Sequence, residues 1–168
     1  MPKTVTKTYE LYTYDELDDS AKEKAIEWFA NSYPEYEWWE STYEDAKTIG
    51  LEITSFDLDR NRHAKGNFTE YADTVAELIF KNHGAMCETY KTAKTFIKDK
   101  QANIDNVASE IEISDFLENL KEEFLKSLLE HYSIMLQKEY EYLTSREHIE
   151  EMIRINEYTF TEDGKRKD

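Results

Sequence analysis

Between Ser114 and Tyr142 the apolar residues recur every three or four positions, at Leu117, Leu120, Phe124, Leu128, Tyr132 and Met135. Leu125, Leu129 and Leu136 widen the stripe. No glycine or proline interrupts it, and the spacing predicts one long helix over about 114–142, with Ser114 or Asp115 as its cap. Any fold for this chain has to cover that stripe. The cover is either the rest of the chain or a second copy, so a homodimer stays open.

The remaining segments supply shorter elements. Thr4 to Tyr12 is β-branched and aromatic, with Val5, Tyr9 and Leu11 on one parity, and reads as a strand. Asp15, Asp18 and Asp19 then offer caps for a helix carrying Leu17, Ala21, Ala25, Trp28 and Phe29. Beyond Pro34 a second helix is expected at about 37–49, stopped by Gly50, and the two helices read as a hairpin. From Leu51 the period changes to two. Leu51 and Ile53 share one face, Phe56 and Leu58 the other, which predicts a bulge near Ser55, and a polar turn leads to a short strand ending at Phe68. Helices follow at about 70–83 and 85–100, then the long helix and a short one through Ile149 and Ile153. Tyr158–Thr161 reads as a last strand, and the final five or so residues are expected to fray. The expected class is α+β, a small and mostly antiparallel sheet of about four short strands covered by about six helices, in a single domain over residues 1–168.

Composition narrows the function. The chain has 168 residues, with 37 Asp and Glu against 21 Lys and Arg, for a formal charge of −16. A chain of this length buries roughly 70% of its unfolded surface, so the charge does not prevent a core. Residues 1–9 carry +2, 10–45 carry −10, 46–100 carry +1 and 101–168 carry −9. Direct binding to nucleic acid is disfavoured, because that affinity comes from Lys and Arg on phosphates. With no long apolar run and no apolar leader after Met1, neither a membrane span nor a signal peptide is expected, and the expected location is the cytosol. A single cysteine, Cys87, excludes an internal disulfide.

Catalytic and cofactor motifs are sparse. The four glycines, Gly50, Gly66, Gly84 and Gly164, are too far apart for a phosphate-binding loop. His83 and Cys87, with His63, make a weak metal set interrupted by Gly84, and a structural role is expected for them. Asp57, Asp59 and Asn61 begin like a calcium loop, but Arg62 and Phe68 stand at its sixth and twelfth positions. Cys87 has no local catalytic pattern and is expected to be a buried or partly buried inert thiol. Lys81, Lys91, Lys94 and Lys98 make one cationic face, expected to balance the acids. No cofactor, metal or catalytic residue is assigned, and an enzyme is not expected.

Residues 27–45 are more informative, since they hold Trp28, Trp38 and Trp39, all three tryptophans of the chain, among acids. Neighbouring residues on a helix point about 100° apart, so Trp38 and Trp39 cannot both be buried on one face, and one is expected to be exposed. Trp and Tyr ringed by charge are typical anchors of protein interfaces. Alternatively these rings cap the edge of the sheet.

Three segments extend the reading: Leu11–Leu17 with Ala21–Ile26, Glu44–Leu51 leading to Phe56–Arg60, and Tyr140–Ser145 with Asn156–Gly164. In these the chain resembles a family of small acidic proteins encoded by bacteriophages and prophages, sometimes described as antitoxins of toxin–antitoxin systems. Asn61–Gly66 departs from that family's tighter Gly- and Cys-containing turn. The resemblance implies a phage-borne gene and a bacterial cytosol, and brings no catalytic residues.

In that setting a rigid set of carboxylates competes for a cationic nucleic-acid channel. The expected function is a non-enzymatic inhibitor of a bacterial defence nuclease, anti-CRISPR or anti-restriction, acting by DNA mimicry or steric block. Its partner is a basic host protein such as a Cas effector or a restriction enzyme. The expected contacts are Asp15, Glu16, Asp18, Asp19, Glu23, Glu27, Glu35, Glu37, Glu40 and Glu44, with Tyr36, Trp38 and Trp39 as anchors. The alternative is an antitoxin-like protein that neutralises a toxin by direct binding.

Overall fold

The structure is a computed structural model that describes residues 2–104 and 110–167. These residues form two compact units, a central one of Trp39–Glu139 and a terminal one built from both ends of the chain, up to Trp38 and from Tyr140 onward. The class is α+β, as expected. The strands, however, form two separate two-stranded antiparallel sheets instead of one sheet, and each unit has its own core.

The central unit starts with α2 (Glu40–Thr48), which stops where Gly50 was expected to stop it, with a left-handed φ of 79° at the residue after the cap. Then β2 (Leu51–Asp57) pairs with β3 (His63–Phe68), from Leu51 opposite Phe68 to Asp57 opposite His63. Their register shifts between Ile53 and Ser55, the bulge expected from the change of parity. Gly66 lies directly across from Ile53, where a β-carbon would stand 2.3 Å from the Glu52 carbonyl oxygen, so only glycine lets the strands approach. Next come α3 (Ala72–Asn82), α4 (Glu88–Ile104) and α5 (Glu110–Leu143). Ile49, Leu51, Val75, Ile79, Leu128 and Tyr132 are wholly buried in this core, and Phe96 stacks on Phe124 at 4.4 Å and 10°.

Two expectations for the long helix need correction. It is already helical at Glu110, so Ser114 and Asp115 lie exposed within it and cap nothing. The half-buried Phe116 packs on the core and carries the apolar stripe upstream. Leu120, Phe124, Leu128, Tyr132 and Leu136 are the buried positions, whereas Met135 is 40% exposed. A strict four-residue repeat turns about 40° per step around a helix, which moves burial from position 135 to 136.

In the terminal unit β1 (Tyr12–Thr13) leads through a single 3-10 turn at Tyr14–Glu16 into α1 (Asp19–Ser32). The helix α6 (Arg146–Ile155) and β4 (Thr159–Phe160) complete it. Asp18 caps α1, accepting the Ala21 N–H at 2.8 Å. Ala21, Ala25 and Phe29 form the buried face of α1, in one cluster with Ile149 and Ile153 of α6. α1 packs on α6 and α2 belongs to the other unit, so the two helices do not share one core as the expected hairpin of α1 with a helix at 37–49 would.

Of the expected first strand only Tyr12 pairs, with Phe160, and Thr13 just beyond it pairs with Thr159. Val5, Tyr9 and Leu11 are exposed, so their alternation has no core to face. The chain end is tied down further than expected. Thr161 N–H donates to the Lys165 carbonyl at 2.8 Å and Lys167 N–H to the Thr159 carbonyl at 2.9 Å. No helix among the described residues is long and apolar enough to cross a membrane.

Candidate functional site

The acids chosen from the sequence fall into two groups once their partners are known. In α1 the buried positions 21, 25 and 29 leave Asp19, Glu23 and Glu27 as a row on the opposite, solvent face, about 6 Å apart along the axis. Glu23 pairs with the Arg146 guanidinium, which also reaches Glu150 at 2.8 Å. Asp15 accepts the Arg154 Nε–H at 3.0 Å, and this guanidinium holds its carboxyl below the usual aspartate value. Glu16 accepts from the Thr13 N–H at 2.8 Å and from its hydroxyl at 2.9 Å, and these bonds hold its carboxyl low as well. Asp18 is the cap of α1, and in the central unit Glu44 pairs with Lys47 at 3.2 Å. Asp15, Glu16, Asp18, Glu23 and Glu44 thus have local structural partners.

Asp19, Glu27, Glu35, Glu37 and Glu40 are exposed and have no ion pair with any described residue. Glu35 and Glu37 flank Tyr36, whose ring is 54% exposed and 6.1 Å from that of Tyr33. The structure corrects the expectation for the adjacent tryptophans. Neither is fully exposed: Trp38 lies 5.5 Å from Tyr140 and Trp39 5.9 Å from Phe56. α2 begins only at Glu40, so residues 38 and 39 are not held to helical spacing and the two rings turn into different units. Trp28, by contrast, does cap the small sheet, edge-on to Phe160 at 6.0 Å and to Tyr158 at 5.3 Å.

Three further side chains join the aromatic region of the terminal unit. Tyr33 Oη is 2.9 Å from His148 Nε2, the Tyr142 ring lies 4.6 Å from the same imidazole, and Tyr140 covers Trp38. The alternation Tyr140-Glu141-Tyr142 is visible in the sequence; its approach to residues 33–38 depends on a return of more than a hundred residues. Tyr36, Tyr140 and Tyr142 are all more than 40% exposed. Aromatic faces beside unpaired carboxylates attract lysine and arginine through both ring quadrupole and charge.

The chain matches no protein-family model, no curated protein and no solved structure.

Proposed function

We propose that this chain is a phage-encoded, non-enzymatic inhibitor that enters the cationic nucleic-acid channel of a bacterial defence nuclease, a Cas effector or a restriction enzyme, in the bacterial cytosol. The observation that carries the reading is the segment Glu35-Tyr36-Glu37, an exposed ring between two carboxylates that have no ion-pair partner among the described residues. Asp19 and Glu27 of α1, which have no ion pair with a described residue, belong to the same unit. A partner rich in arginine or lysine gains charge attraction and ring contacts from this set, and association is steered over long range. The five acids with local partners hold the fold and contribute less to such a contact.

The test is plasmid cleavage by purified Cas effectors and restriction enzymes with the protein titrated in at roughly 50 and 200 mM salt. Inhibition is expected at the lower salt and much weaker inhibition at the higher. The combined variant Glu35→Lys, Glu37→Lys, Glu40→Lys is expected to lose inhibition while keeping the circular dichroism spectrum and melting curve of the parent. Undiminished inhibition by that variant overturns the assignment of this surface. If no nuclease is inhibited and a small toxin is neutralised instead, the antitoxin reading replaces this one.

A further inference from the structure

The central unit contains a cavity of about 480 Å³ between the α3–α4 connection and α5, lined by none of the ten acids chosen from the sequence. Its wall includes Ile134 and Met135 of α5, the imidazoles of His83 and His131, and Cys87. The sequence expectation is a buried or partly buried thiol, and Cys87 is instead exposed. It lies in the short connection after α3, whose helix ends at Asn82, and its N–H donates to the Gly84 carbonyl at 2.9 Å. The chain has no other cysteine, so this cavity holds its only thiol.

A second feature of the wall concerns His83, whose side chain is only 10% exposed. Its Nδ1 lies 2.6 Å from Thr89 Oγ1, while its Nε2 makes no hydrogen bond and stands 3.4 Å from Asp45 Oδ2. The Asp45 carboxylate beside Nε2 favours the tautomer that carries the ring proton there, with the Thr89 hydroxyl donating to Nδ1, and that proton is then a buried donor without an aligned acceptor. Asp45 and Glu88 outnumber the one lysine of the wall, Lys138, so its net charge is negative and disfavours anionic ligands, and the apolar side chains favour uncharged ones. Among the described residues no group of three His, Cys, Asp or Glu side chains is arranged to hold a metal ion.

We propose that this cavity binds small, uncharged α,β-unsaturated carbonyl compounds and that Cys87 is the residue they modify. The Cys87 sulfur, as thiolate, attacks the β-carbon. An S–C bond forms, the C=C π bond breaks, and its electron pair moves onto the carbonyl as an enolate. The enolate carbon then takes up one proton, equal to the one the thiol gave up, so the step is a net addition that needs no oxidant or reductant.

Two maleimides with the same reactive ring test this, one carrying a phenyl group and the other a hydroxyethyl group. Both are uncharged. Their rates of adduct formation are read by intact mass on the native full-length chain and on the chain unfolded in urea, with Cys87→Ser as the control for a single site. The phenyl-to-hydroxyethyl rate ratio is expected to be about tenfold larger in the native chain than in the unfolded one, because the cavity buries the apolar group. N-phenylsuccinimide, the saturated and unreactive counterpart, is expected to slow labelling of the native chain and leave the unfolded chain unaffected. The same ratio in both states, or no protection by the succinimide, overturns the proposal, since Cys87 then reacts as a merely accessible thiol.

Discussion

Arg154 meets Asp15 through Nη2 at 2.9 Å and Glu150 at 3.6 Å, and its guanidinium lies 5.3 Å from the centre of the Tyr14 ring. Both carboxyls titrate below their ordinary values of 3.8 and 4.5, Asp15 through Arg154, Glu150 through Arg146 first, then Tyr14, and Arg154 last. Burial first, then the Glu150 carboxylate, pushes the Tyr14 phenol up to about 12. A carboxyl held low in the folded chain contributes stability above its ordinary value and loses it as pH falls through the folded value. The melting temperature is therefore expected to fall as pH drops below about 4.5, and Arg154→Met to make that acid limb shallower. A limb of unchanged slope in the variant removes the network as its cause. In the central unit, Tyr132 is wholly buried and its hydroxyl donates to Asp45 Oδ2 at 2.8 Å. Tyr132→Phe is expected to cost about 1 kcal/mol in urea unfolding, a modest value because the Asp45 carboxylate remains partly solvated. None of these pairings was legible in the sequence. Asp15 and Arg154 are separated by more than a hundred residues, and Arg154 was one of several bases interspersed among the C-terminal acids.

Elements were legible where their patterning did not depend on distant partners. The β2–β3 hairpin was readable because its parity switch and its polar turn are both local, and the bulge lies where the parity changes. Gly66→Ala is expected to destabilise the central unit by about 1–3 kcal/mol, since the added carbon meets backbone and not a flexible side chain. A urea midpoint equal to that of the parent shows instead that the strands move apart at little cost. The first strand failed for the opposite reason. Thr4 to Leu11 has strand composition, but its partner β4 is only two residues long and no core lies beneath it. For α5 the stripe gave the helix and its C-terminal end, while the start was missed because Ser114 suits a cap and also tolerates an exposed helical position.

Charge divides differently over the folded chain than along the sequence. Seventeen acids and nine bases fall in the terminal unit, and twenty acids and twelve bases in the central one, so each carries −8. The acidic block at 10–45 is split between them after Trp38. The central unit is continuous in sequence and has its own core, whereas the terminal unit needs both ends of the chain. A fragment of residues 39–139 is accordingly expected to be helical and to melt cooperatively on its own. A fragment lacking residues 1–38 is expected to keep that transition and to leave α6 without its partner α1, visible as lost helicity. A disordered 39–139 fragment contradicts the independence of the central core.

The sequence by itself determined the α+β class, the positions of most helices, the hairpin and the excess of carboxylates, because these follow from local periodicity, turn residues and composition. Only the tertiary structure decided that the strands form two sheets, that half of the chosen acids are occupied by arginines, caps or neighbours, and that Trp38 and Trp39 turn to different partners. It also decided that Cys87 faces a cavity with His83. Each of these depends on which distant segments meet, and that is set by how the apolar faces of α1, α5 and α6 are covered, a property no short window of residues contains.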